Sequence, residues 1–581
     1  MLDRSRSRDR SKTGGAFSPA GLFVTGAQGA WYDPSDFSTL YQNSTGTTPV
    51  TAVEQPVGLM LDRSRGLVLG PELVVNGGFD SDVSGWSLRA GSDPVTGGAL
   101  AWVDGVAQFT RGTTFPSTAA SQSVGGFTIG RWYIFSGRAR LVSGSGVASI
   151  QLRTSDGGGG STLALSQDAT TSTFTSCSFV WLATQTSAFV SLLLSANNAV
   201  GEFDAISIRE LPGNHALQAT SASRPVLRAR YNGLTYSEQF DNGVWGKVRA
   251  TVSANGAAAP DGTMTADKLV EDATASNSHL IASASVSFTS GTTYTFTVYA
   301  KAGERSQLGI NGPAGTGLDN PAVFNLSNGT VVSAGSFTAS LQALANGWYR
   351  CIATATASGT GSGPVILRLA LAGSTTYTGD GASGVYIWGA QLQTAADQTS
   401  TGGAYQRIAA ATDYDTSNPV WRPYLAFDGV DDFFNLASAI SITTDMTVLR
   451  GFGRSAAGIR SAGLGPASGT EPRDYFWQTT NIESYGLGAT AQTLTADTAT
   501  GYFVGTLRRS ATDEFLRRNG TQISTRAAPA VSGSFTKLGD LSGNLNNGPI
   551  YGLIVLDREL TGSELTATEQ WMAGKTGATL A

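Results

Sequence analysis

Two places in this 581-residue chain set a flat aromatic ring beside groups that bond hydroxyls. Trp102 stands two residues before Asp104, and Trp477 follows Tyr475-Phe476. A sugar ring has apolar faces and a rim of hydroxyls, so an aromatic platform beside a carboxylate or phenol suits holding one. Most of the 11 tryptophans must nevertheless fill cores. Trp86 and Trp245 each follow a Phe-Asp pair, and Trp348 follows Asn346-Gly347 at a strand start, positions that suit structure. Catalysis has less to work with. His215 and His279 are the only histidines, they lie far apart, and no Gly-x-Ser-x-Gly elbow accompanies them. They also fit no metal-ligand spacing. Two carboxylates would suffice for glycoside hydrolysis, but no segment shows the short regular coils of a β-helical depolymerase. The expectation is a protein that is not an enzyme.

The elements that must position these residues are strands. Charged residues make up only 14% of the chain, against the usual quarter or so, and 73 glycines punctuate short apolar runs. Ala148, Ile150 and Leu152 alternate with Ser149, Gln151 and Arg153, and Tyr294, Phe296 and Val298 alternate with threonines and Tyr299. Period-two patterning with frequent turn residues predicts an all-β chain. One helix stands out near the end. Thr561 and Glu564 form a capping box, Leu565, Thr568 and Met572 share a face, and Gly574 supplies a stop.

The net charge of −5 leaves no electrostatic footprint for nucleic acid. Arg4, Arg6, Arg8, Arg10 and Lys12 form a basic arm that reads as a solvated tail or a docking arm for an acidic surface. Cys177 and Cys351 fall in separate strand patterns and are expected to be free thiols. No run approaches the ~18 apolar residues of a membrane span, and the arginine-rich start lacks the apolar core of a secretory signal.

One module is written twice. Phe79-Asp80 and Phe240-Asp241 are separated by the same 161 residues as Phe127-Thr128 and Phe288-Thr289. Equal spacing at both landmarks predicts tandem copies of one folding unit. The organisation expected is a basic arm and anchoring segment over 1–70, a first β-sandwich over 71–212, a linker over 213–230, a second sandwich over 231–408 and a third over 409–581, ending in the helix.

These residues resemble known families. Trp31-Tyr32-Asp33-Pro34-Ser35-Asp36 through Pro56-Val57-Gly58-Leu59-Met60-Leu61-Asp62 is similar to the N-terminal region of tailed-phage virion proteins. The repeat, with Asn76-Gly77-Gly78-Phe79-Asp80 at one end and Phe203-Asp204-Ala205-Ile206-Ser207-Ile208 at the other, resembles jelly-roll carbohydrate-binding modules. Phe427-Asp428-Gly429-Val430-Asp431-Asp432, with the terminal strand and helix, resembles concanavalin A-like (laminin-G-type) lectin domains. In such phage proteins the Gly58-Leu59-Met60-Leu61-Asp62 run leads directly to segments like Gly213-Asn214-His215-Ala216 and Arg224-Pro225-Val226-Leu227. Here the modules separate them, which predicts that both modules are inserted into an older scaffold and that 1–70 packs near 213–230.

The resemblance implies a virion protein, a tail fibre or spike, that attaches to host-surface polysaccharide. Other virion proteins and a homotrimer would be its partners, with no nucleic acid bound and no membrane inserted. It would be assembled in the host cytoplasm and exposed on the particle. A purely architectural role in the particle is the alternative. Structural calcium at Asp80 and Asp204 is implied by the module family, more weakly at Asp241. A metal at Asp428, Asp431 and Asp432 is implied by the lectin family, where these acids usually serve structure.

Overall fold

A computed structural model describes residues 17–23, 28–88, 98–113, 119–155, 161–165, 168–394, 397, 403–416, 422–454, 461–466, 474–479, 482–485, 492–496, 501–528, 533–540, 543 and 545–581. The basic arm lies outside the described residues. Strand pairing is antiparallel, and the sheets form three β-sandwiches, as the alternation of apolar and polar residues predicted.

The two modules share one topology. In the first, strand Trp132–Ser143 lies between Thr175–Leu182 and Val200–Glu210, and the latter pairs on with Val106–Thr110. In the second, Thr293–Ala302 lies between Trp348–Thr356 and Gly384–Thr394, which pairs with Ala266–Glu271. Even the irregularity is repeated. The long closing strand bulges between Asp204 and Ser207 in one copy and between Trp388 and Gln391 in the other. The extra residue takes positive φ each time, Ala205 at 53° and Gly389 at 62°. The landmark residues make the same contacts. The Thr128 amide donates to the Tyr133 hydroxyl at 2.8 Å, and the Thr289 amide donates to Tyr294 at 2.9 Å. Phe79 packs on Trp86 and Phe240 on Trp245, at ring separations of 5.4 and 4.9 Å. Trp86, Trp245 and Trp348 are buried, the core role their positions suggested.

The third sandwich is assembled from both ends of the chain. Gly29–Tyr32 pairs with Asn547–Leu556, and Leu40–Tyr41 pairs with Leu59–Met60. The segment 213–230, expected as a linker, supplies strands instead. Ala216–Leu217 lies between Leu59–Met60 and Phe434–Ser441, while Val226–Arg228 pairs with Tyr424–Asp428. Residues 28–62 are likewise part of this sandwich rather than a separate unit: Ala30, Tyr32, Leu40, Val57 and Met60 share a core with Leu425, Phe434, Phe535 and Leu553. A stretch this short cannot bury a core by itself, so its apolar residues complete a neighbour's. Each module therefore stands where a hairpin turn would, between two strands that pair directly: Met60 with Ala216, and Val226 with Ala426.

A buried carboxylate fastens the first of these junctions. Asp62 accepts from the amides of Trp31 (2.8 Å), Ser64 (2.8 Å) and Asn214 (2.7 Å), and from the Ser64 hydroxyl (2.7 Å). The Asp62 amide donates to His215 Nδ1 at 2.9 Å, so the proton of the neutral ring sits on Nε2 and points to the Leu211 carbonyl at 3.2 Å. Tyr32 closes the group by donating to the Asn214 carbonyl.

The terminal helix spans Gly562–Thr576 and differs from expectation at both ends. Thr561 occupies the N-cap without a side-chain bond, and Glu564 turns outward to pair with Arg558 at 2.7 Å. Gly574 lies inside the helix with open space around it. The left-handed stop is Gly577, at φ 78°, whose amide bonds Ala573. Leu565, Thr568 and Met572 do face the sheet, and the buried Glu569 holds Arg517 (2.8 Å) and Thr506 (2.9 Å). Both cysteines are free thiols, and burial pushes the Cys351 thiol up.

Burial holds the folded His215 pKa down to about 4. The unfolded chain takes up a proton near 6.5 and the folded one does not, so stability falls as pH drops from 6.5 toward 4. The expected loss is about 3 kcal/mol, because each tenfold weakening of proton affinity on folding is worth about 1.4 kcal/mol. Thermal melts across that window should show it, and His215→Gln should flatten the slope; an unchanged slope would remove His215 as its source.

Candidate functional site

The outward face of the first module's central sheet carries a built array of charge and aromatic surface. Along Trp132–Ser143, Phe135, Ala139 and Leu141 point into the core, which sends Ser136, Arg138 and Arg140 outward. The neighbouring strand places Asp204 opposite Arg138 and Glu202 opposite Arg140. Arg138 Nε donates to Asp204 at 2.8 Å and Arg140 Nε to Glu202 at 2.7 Å, while Gln108 donates to Glu202 at 3.0 Å. Phe174, half-buried, lies over both guanidinium groups, 4.7 and 4.6 Å from their carbons to the ring centre. The carboxylates are buried and the arginines half exposed. Arg140 Nη1 also reaches the Ser172 carbonyl at 3.4 Å. The face thus offers half-exposed guanidinium groups, an amide and a ring held in place, a set that can bond hydroxyls and stack on a sugar.

The second copy closes the equivalent face with its own chain. Tyr299 and Lys301 stand where Arg138 and Arg140 do, opposite Trp388 and Tyr386. The Tyr405 ring packs on Trp388 and Tyr299, at 5.0 and 5.9 Å. Gln391 donates to the Ala404 carbonyl at 3.0 Å and accepts from the Gln406 amide at 2.9 Å. Trp348 and Trp388 are buried beneath this cover.

The residues singled out in the sequence fare unevenly. Trp102 is 43% exposed, and its indole donates to the Phe79 carbonyl at 2.7 Å, which fixes the ring's orientation. Asp104-Gly105 is the two-residue turn of the hairpin pairing Val103 with Val106; Asp104 has φ 46° and Gly105 83°, as a type I′ turn requires. Tyr475 and Trp477 fall on strand Asp474–Thr479, whose side chains lie outside the described residues. Asp80 is exposed, and Asp204 is engaged by Arg138. Among the described residues, neither belongs to a group of three metal-type donors. Arg138, Arg140 and Phe174 were missed. Their signal was an alternating Arg-x-Arg on an otherwise apolar strand, legible only with its acidic partner strand in register.

A second concavity, a cleft of about 500 Å³, lies where the second module joins the scaffold. Arg228 and Arg230 line it from the outgoing strand and its extension, Tyr424 from the returning strand, and Thr289, Tyr294 and Asp397 from the module. Glu54 pairs with Arg228 at 3.2 Å and accepts from Tyr414 at 3.1 Å. Asp397 accepts from the Tyr502 hydroxyl (2.6 Å) and the Thr394 hydroxyl (2.7 Å), and burial raises its pKa.

Asp428, Asp431 and Asp432 bring carboxylate oxygens within 4.8 Å of one another, an all-oxygen group of the kind that holds hard cations. Protein donors already serve them: the Val430 amide bonds Asp428 at 2.8 Å, Ser223 bonds Asp431 at 2.9 Å, and the Asp428 amide bonds Asp432 at 3.0 Å. The Ser223 bond ties the turn to the 213–230 segment.

No family model and no curated protein matches the chain. Among solved structures, a CBM4 module is 16% identical, spanning 24% of this chain and 99% of its own, with a TM-score of 0.21. The CBM22-1–CBM22-2 tandem of Paenibacillus barcinonensis Xyn10C is 16% identical over 56% of this chain and 98% of its own, TM-score 0.23. The sialidase of Trypanosoma rangeli is 11% identical over 84% and 93%, TM-score 0.19. At scores this low the likeness establishes nothing about this chain's ligand.

Burial first, then the neighbouring acids, raise the Asp432 pKa to about 6. A raised carboxylate contributes stability below its unfolded value near 3.8 and loses it as pH climbs through about 6. Asp432→Asn should therefore stabilise the protein at pH 8 by roughly 1–2 kcal/mol, after allowance for solvent screening, and give no gain at pH 4. Denaturant melts at the two pH values check this; equal effects at both would refute it.

Proposed function

We propose that this chain is a non-enzymatic glycan-binding protein that engages polysaccharide through the outward face of its first module, carried on a phage-like particle. The carrying observation is the contrast between the two copies. On one plan, one copy covers its sheet face with Tyr405 and its flanking residues, while the other leaves Arg138, Arg140 and Phe174 accessible. A solvent-facing array whose rings and charges are fixed by buried carboxylates costs little to organise on binding. Sugar hydroxyls can bond the guanidinium edges while a ring face stacks on Phe174.

Placement on a particle is supported by the motif resemblance of the scaffold residues. Attachment would rest on several weak sites acting together, since linked copies raise the effective concentration. Host-surface polysaccharide, other virion proteins and a homotrimer are the partners this reading entails.

Phe174→Ala should lower affinity for a bound polysaccharide about tenfold, the size of a lost stacking contact. Arg140→Ala should do the same with the melting temperature changed by no more than a few degrees. Affinity electrophoresis through host capsule or lipopolysaccharide glycan reads both. Retention unchanged in both variants would overturn this site, and the absence of binding by the wild type to any surface glycan would favour an architectural role.

A further inference from the structure

We propose that the cleft between the second module and the scaffold is a separate binding site for a carboxylate-bearing saccharide, with Arg230 as its anion anchor. The argument starts from how Arg230 is held. Its Nε donates to the Asn232 carbonyl at 2.7 Å, which fixes the plane of the guanidinium. Among the described residues no carboxylate lies within ion-pair distance of its remaining donors, although the side chain is half-buried. A guanidinium withdrawn from water without a carboxylate is costly, and a planar oxyanion offering two oxygens offsets that cost best.

The surrounding charges leave this role open. Glu54 is paired directly with Arg228 and accepts from Tyr414, and it acts on Arg230 only from beyond ion-pair distance. Asp397 is satisfied by the Tyr502 and Thr394 hydroxyls, and burial raises its pKa. The walls also suit a sugar better than a lipid or a flat apolar ligand. Ser287 and Thr289 offer hydroxyls, Tyr294 and Tyr424 offer rings, and Val286 and Leu392 are the larger aliphatic contributions. A volume of about 500 Å³ falls within the range of small-molecule sites.

The position of the cleft makes Arg230 hard to explain as a relic of either part alone. It sits two residues beyond the strand Val226–Arg228, and its carbonyl accepts from Tyr424 on the returning strand at 3.2 Å. The guanidinium, the phenol and the module's hydroxyls come together only because the module is seated between those two strands. This site shares no residue with the first-module face, so either can fail while the other stands.

The test uses the full chain with digalacturonate and, as the uncharged control, its methyl ester, by isothermal titration at low salt. Digalacturonate should bind at least tenfold tighter than the ester, and the preference should shrink as salt is added. Arg230→Gln should abolish the preference. Ser287→Trp, on the module's wall of the cleft and at an exposed position, should block both ligands without touching the charge. Phe174→Ala should change neither. Equal binding of acid and ester, binding of neither, or a preference that survives Arg230→Gln would each overturn the proposal.

Discussion

The Asp62 carboxylate holds together three stretches of chain that the sequence places far apart. It receives amides from the first strand, from its own turn and from Asn214, which stands 152 positions further along the chain. An anion buried this completely is tolerated only because every oxygen is met by donors, and burial still raises its pKa. Remove the carboxylate and three buried amides lose their acceptors together, each at about 1–3 kcal/mol. The scaffold's sheets depend on this closure, since Met60 and Ala216 can pair only if the chain returns to the same point.

That closure explains how a large insertion can leave a sandwich intact. Loop-closure entropy grows only logarithmically with length, and a folded module whose ends lie side by side adds little even to that. What remains is to fix the module's orientation. Trp132, Val180 and Leu211 of the first module share a buried cluster with Leu59 and Leu61 of the scaffold, and His215 packs edge-on to Trp132 at 5.7 Å. The second module is seated by Ile408 against Ala229 and Tyr414. The same residues that close the scaffold thus also aim the modules.

Much of this was legible because repetition and alternation are local properties of a sequence. The 161-residue offset located Phe79 and Phe127 and their counterparts, and the strand Ala148–Arg153 followed from its period of two. The 213–230 segment was not legible, since strands of two and three residues carry too few positions to show a period. Gly574 and Gly577 could not be ranked as helix stops without knowing which one the sheet leaves in the left-handed conformation. The candidate site was the least legible part. Trp102 and Asp104 are neighbours in sequence, but the ring stands on a strand and the acid in the turn that follows it. Arg138 and Asp204 are 66 residues apart and meet through register alone.

The divergence of the copies bears on which surfaces evolved to be wet. Where the first module has Arg138 facing Asp204, the second has Tyr299 facing Trp388. An aromatic pair on an open sheet face would expose a large apolar patch, and the residues around Tyr405 cover it, continuing directly to Ile408 and the scaffold contact. The cover and the seat are therefore one stretch of chain. A module fastened to the scaffold through its own sheet face cannot offer that face to a ligand. The first module fastens through Trp132 and Leu211 at the sheet's end instead, and its charged ladder stays in solvent. Attachment geometry, more than the choice of any single side chain, decides which copy keeps its sheet face in solvent and which has it covered.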